Sequence, residues 1–271
     1  MRNNKTSELV LTSLFTAIII IMAFTPLGYI PLVVINATII HIPVILGSLF
    51  CGPKKGAFLG FVFGFTSFIK NTIMPSSLSA FVFSPVLASS VVGPAGIFKS
   101  LFICFVPRIL VGVLPYFVYM LIKKALSSES KKIWGIILNL AVCVLLGFGL
   151  HAFIAKMSAG NMAESANLII SIIVAVVIFA VLQFAAMKKD ANVLSFVYAG
   201  ISGAFINTLL VMGGIFVLYK DAYASALSID ANAVLGVIGG VISFNGVIEA
   251  IVAAVIVYAI GVVLTKIKPV K

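Results

Sequence analysis

Three observations predict an all-α fold, a polytopic transmembrane helical bundle. The chain is 62% hydrophobic and 9% charged, with a mean hydropathy of +1.28, whereas soluble domains carry about 25% charged residues. Several apolar runs reach roughly 18 residues or more, long enough for a helix to cross about 30 Å of hydrocarbon. The basic residues also fall as a multi-pass chain places them, concentrated at alternate turns between those runs.

The runs predict membrane spans near 7–24, 36–51, 56–72, 99–122, 133–155, 167–187, 193–218 and 234–264. The first, Leu9 to Phe24, lacks a small-residue cleavage site and leads directly into more apolar sequence, so it reads as a retained helix. With both termini cytoplasmic in a bacterial plasma membrane, 13 of the 18 Lys and Arg lie inside; the exceptions are Lys70, Lys99, Arg108, Lys156 and Lys220. Inner-leaflet anchoring of these lysines accounts for the net charge of +11, so no nucleic-acid partner is expected, only membrane lipid.

Three segments lie outside the spans on the outer side. Thr25 to Ile35 is rich in Pro and Gly and links the first two spans. Asn71 to Phe98, with its prolines, serines and aromatics, is too interrupted to cross and suits a cap over a site. Lys220 to Asn232 is the third. Long loops without structure of their own are often lids or binding elements. Cys51, Cys104 and Cys143 stand singly without metal-ligand spacing and read as packing residues. No metal and no cofactor are expected.

Small residues mark close contacts. Gly52, Gly56, Gly60 and Gly64 form one stripe at helical spacing, which serves either internal packing or the docking of a partner helix. In the first span, Ser13 and Ala17 make a small-xxx-small pair beside Thr12 and Thr16, a patch suited to another membrane subunit.

Polar side chains inside a membrane are costly and mark function. Counting from the nearest cytoplasmic lysine at ~1.5 Å per residue, Arg108 lies about 22 Å deep, Glu249 about 25 Å, Asn207 about 27 Å and Asn245 about 31 Å. His41 falls at about 20 Å and Asn36 at about 27 Å on the same scale. All six converge on the outer half, beneath the three outer segments. They are read as the lining of an outward pocket with hydrogen-bonding groups, a cation, an anion and a histidine. The structural alternatives are an Arg108–Glu249 ion pair, helix-bridging asparagines and a packed His41. Phosphate-loop, HExxH and GxSxG patterns are missing, and two histidines with seven carboxylates leave little for acid–base chemistry. The chain is therefore expected not to be an enzyme.

Four blocks carry a family likeness: INATIIHIPVILGSLFCGPKKGAFLGFVFGFTSFIKN (Ile35 to Asn71), FVPRILVGV (Phe105 to Val113), GAFINTLLVMGGIFVLY (Gly203 to Tyr219) and FNGVIEAIVAA (Phe244 to Ala254). In this order they resemble the substrate-binding S components of energy-coupling factor (ECF) vitamin transporters, most of all the branch with pantothenate-specific members. The resemblance implies a six-helix core that captures a vitamin from outside. It also implies a transmembrane T component and two ATPase subunits as partners, with ATP hydrolysis left to the latter. On the matching blocks it implies substrate contacts at Asn36, His41, Arg108, Asn207, Asn245 and Glu249. T-component docking would fall at the patch of Thr12, Ser13, Thr16 and Ala17. Within a single membrane domain, 1–124 and 191–268 match the core, while 131–190 reads as a two-helix insertion. The rival readings are a self-sufficient secondary transporter, for which no internal repeat is found, and a membrane scaffold.

Overall fold

A computed structural model describes residues 4–31, 36–158, 162–188 and 191–270. The protein is a multi-pass helical bundle: among the described residues, seven helices are long and apolar enough to cross a membrane. Helix α1 (Asn4–Phe24) leads into a two-stranded ribbon, β1 (Tyr29–Pro31) antiparallel to β2 (Asn36–Thr38). Helices α2 (His41–Cys51) and α3 (Pro53–Ile73) follow. A 3₁₀ turn (Ala80–Phe83) and the short α4 (Pro85–Val92) then precede α5 (Ala95–Leu126). The chain ends with α6 (Lys131–Met157), α7 (Glu164–Lys188), α8 (Ala191–Leu227) and α9 (Val234–Thr265).

The expected span at 36–51 is a shorter helix than expected, yet it returns the chain from the ribbon end of α1 to the end where Lys55 meets Glu8. Residues 36–38 pair with β1, and α2 has 11 residues, about 17 Å of helix against a core of about 30 Å. All eleven are buried within the protein. Gly52 (φ 90°) ends α2 in a conformation that a side chain would strain, and Pro53 opens α3 at once. Two of the outer segments also differ from expectation. Residues 71–98 contain α4, started by Ser84, whose hydroxyl accepts from the Leu87 N–H, and by Pro85 at the first turn. Most of 220–232 is helix, because α8 continues to Leu227 past a local break at Tyr219.

The glycine stripe packs internally. A Cβ on Gly56, Gly60 or Gly64 would meet the carbonyl oxygens of Gly112, Arg108 and Cys104 at 1.9, 2.2 and 2.5 Å. Helices α3 and α5 therefore touch backbone to backbone along three successive turns. One hydrophobic core runs between α1, α2, α3, α5, α8 and α9 and takes in Val142 and Leu146 of α6. A second sits where α8, α9 and the start of α5 meet the 3₁₀ turn and α4, around Phe81, Ile215, Tyr219 and Val234. The Tyr219 hydroxyl bonds the Gly96 carbonyl and Ser100, and Ser100 donates to the Phe81 carbonyl, tying the connecting segment down over the bundle. At the opposite end, Glu8 of α1 pairs with Lys55 of α3 at 3.2 Å.

Candidate functional site

A cavity of about 890 Å³ opens at the end of the bundle capped by the ribbon and the 74–83 connection. That size suits a small-molecule site. Helix α3 supplies one wall at i, i+3/i+4 spacing, with Phe63, Thr66, Ser67, Lys70, Asn71 and then Met74. The ribbon side contributes Ala23, Pro26, Thr38 and Ile40, the connection Pro75, Ser76, Ser77 and Phe83. Arg108 comes from α5 and Asn207 from α8. Both charged residues on this lining are cations, and none of its described residues is a carboxylate.

Arg108 is 6% exposed. Its guanidinium carbon stands 5.0 Å from the centre of the Phe83 ring and 5.5 Å from that of Phe63, within cation–π range of both. Nη1 donates to the Ile103 carbonyl at 2.6 Å. The α3 glycines let this part of α5 come close, and Cys104 holds the cap above it by donating to the Phe83 carbonyl at 3.0 Å. Asn207, also buried, reaches the lining with its Oδ1 unpartnered among the described residues. An acceptor in that position is open to a donor from water or from a ligand in the cavity.

Glu249 stands behind the wall. One carboxylate oxygen accepts the Thr38 N–H at 2.8 Å and the other accepts the Thr208 hydroxyl at 2.9 Å. The side chain thus joins the ribbon, α8 and α9, and it is close enough to Arg108 for their charges to interact. His41 is fully buried at the start of α2; the Thr38 backbone lies beside its ring, without hydrogen-bond geometry to either nitrogen. Asn245 is buried one turn before Glu249, its Oδ1 unpartnered among the described residues. Neither His41, Asn245 nor Glu249 is on the cavity lining. Asn36 has its backbone in β2, but its side chain lies outside the described residues.

Of the six residues expected at a pocket, Arg108 and Asn207 come together on it. Thr38, Thr66, Ser67, Lys70, Asn71 and the two phenylalanines were missed. The signal was available for α3, where Phe63, Ser67, Lys70 and Met74 recur at helical spacing and continue the side of the helix that carries the glycines. On α1, Ser13 and Ala17 point outward within an exposed stripe that includes Leu9, Leu14, Ile21 and Phe24. Thr16 is half-buried, and Thr12 turns inward, its hydroxyl donating to the Glu8 carbonyl.

Comparison with known proteins places these features in context. The family described as "ECF transporter, substrate-specific component" matches residues 7–182, a stretch that takes in α6 and most of α7 and stops short of α8. The pantothenic acid transporter PanT of Lactococcus lactis subsp. cremoris is 40% identical over 138 residues, covering 47% of this chain and 65% of that protein. The pantothenate transporter PanT of Leuconostoc mesenteroides subsp. mesenteroides is 35% identical over 119 residues, 42% of this chain and 51% of its own. In both cases the match spans less than two thirds of the relative's length.

Proposed function

Because the chain belongs to the family of substrate-specific components of ECF transporters, we propose that its cavity captures pantothenate, or a close relative of that acid, from the outer face of the membrane. The carrying observation is the charge of the lining: Arg108 and Lys70 are present, without a carboxylate among its described residues. A guanidinium can offer a carboxylate two parallel hydrogen bonds, and burial between two rings strengthens the attraction by excluding water. The hydroxyls of Thr38, Thr66 and Ser67 and the amides of Asn71 and Asn207 suit the hydroxyls and amide of such a ligand. The two relatives named for pantothenate support this acid among others.

In this reading a transmembrane T component and two ATPase subunits drive release of the ligand to the cytoplasm, and hydrolysis of ATP belongs to them. The outward residues Ser13 and Ala17 of α1 form part of the docking face for the T component. Both termini and the lysine-rich turns face the cytoplasm. The test is calorimetric titration of the purified chain with pantothenate. Arg108→Ala is expected to weaken binding by more than about tenfold, the scale of a charge-assisted hydrogen bond. Near-unchanged affinity would remove Arg108 from the site. Uptake that persists in cells without the ATPase subunits would instead identify a self-sufficient carrier.

A further inference from the structure

Helix α5 carries Pro107 immediately before Arg108. In an uninterrupted helix the N–H of residue 107 donates to the carbonyl four residues back, that of Ile103. Proline has no N–H to give. Ile103 is fully buried, so its carbonyl would be left as an acceptor without water or helix to satisfy it. Instead it accepts from Arg108 Nη1, the side chain of the very next residue after the proline. In membrane helices such freed carbonyls are commonly taken up by side chains; here the side chain that does so is the cation of the cavity.

We infer that Pro107 is a positioning residue for ligand recognition: it keeps the Ile103 carbonyl open as a fixed anchor for one corner of the Arg108 guanidinium. Phe63 and Phe83 flank and confine the group, and the carbonyl holds its Nη1 corner. An alanine at 107 restores the backbone N–H, which competes with Nη1 for the same carbonyl and loosens that corner of the guanidinium. Pro115 provides an internal contrast. It lies in the same helix and frees the Val111 carbonyl, but it is followed by Tyr116 and no cation. The effect on affinity rests on the proposed reading of Arg108 as the group that meets a carboxylate. The effect on the guanidinium itself does not.

Two measurements on the full chain in detergent separate these. Arg2 and Arg108 are the only arginines, so arginine-specific ¹⁵N labelling yields two guanidinium signal sets, assigned with Arg2→Lys. Without ligand, Arg108 is expected to show slowed rotation with resolved Nη signals, which average in Pro107→Ala and persist in Pro115→Ala. An unchanged Arg108 signal in Pro107→Ala overturns the inference. Binding is read with pantothenate and its neutral alcohol analogue, in which CH₂OH replaces the carboxylate. Pro107→Ala is expected to lower acid affinity roughly tenfold while leaving the alcohol unaffected. In an Arg108→Ala background the same substitution has no further effect, a coupling that a general softening of the helix does not produce. Released Arg108 signals alongside a wild type without preference for the acid would uphold the positioning role and reject the carboxylate reading. An acid preference that survives Pro107→Ala overturns the positioning role.

Discussion

At the scale of single residues, Glu249 shows how a side chain at the level of a pocket can serve it from behind. Its two oxygens take the Thr38 N–H and the Thr208 hydroxyl, and Thr38 lies on the cavity lining. Glu249→Ala takes the acceptor from the buried Thr208 hydroxyl, at roughly 1–3 kcal/mol, and from the half-buried Thr38 N–H. The purified variant should therefore unfold at a lower temperature than the wild type, and ligand should leave it faster because the ribbon has lost its attachment to α9. An unchanged unfolding temperature would show that the ribbon is held by other contacts. Depth counted along the sequence had put Glu249, Asn245 and His41 level with Arg108 and Asn207. Depth is one coordinate of three, and it carries no information on which way a side chain faces once several helices surround it.

Among elements, the contact between α3 and α5 decides where the cation stands. Gly60 faces the carbonyl of Arg108 itself, and a methyl group there would sit 2.2 Å from that oxygen. Gly60→Ala must push the helices apart, an overpacking that costs roughly 1–3 kcal/mol. The expected outcome is a lower unfolding temperature together with weaker acid binding, since α5 carries Arg108 away from the wall built by α3. Gly213→Ala is the control, because nothing lies within 4 Å of the added methyl group, and alanine favours the helix by up to about 1 kcal/mol. Equal behaviour of the two variants would rule out the close approach as the cause. The stripe itself was legible in the sequence, but its partner was not, since glycine spacing names a narrow face without naming what fills it. The half-length α2 was hidden for a different reason. It is apolar on every side because protein encloses it, and hydropathy does not distinguish enclosure by protein from enclosure by lipid. Lys220 and Asp221 similarly mark where α8 becomes polar, and the helix continues beyond them for lack of a residue that stops it.

For the molecule as a whole, the helical membrane architecture followed from hydropathy, because it is summed over many residues. What the sum leaves open is the standing of α6 and α7. No described residue from 131–190 lines the cavity, and α7 exposes Ile169, Ile173, Val177 and Val181 along its length. Within the pair Asn139 donates to Gln183 at 2.7 Å, and α6 joins it to the remainder: Asn139 accepts from the Tyr198 hydroxyl, Phe153 stacks on Phe244 at 4.7 Å, Val142 and Leu146 enter the main core, and Gly149 packs against Ser243 and Val247 of α9. We propose that 1–124 and 191–268 form a self-sufficient binding core to which residues 131–190 add a peripheral hairpin. Replacing 131–190 by a flexible Gly/Ser linker strands the Tyr198 hydroxyl, so Tyr198→Phe accompanies the deletion to avoid a buried donor without a partner. The shortened chain should remain monodisperse in detergent and hold pantothenate with an affinity within about threefold of the full chain's. A folded product that had lost binding would instead make α6 and α7 part of the machinery that holds α8, and with it Asn207, in place. The α8 register is the link through which such a loss would travel, since Tyr198 and Asn207 lie on that one helix.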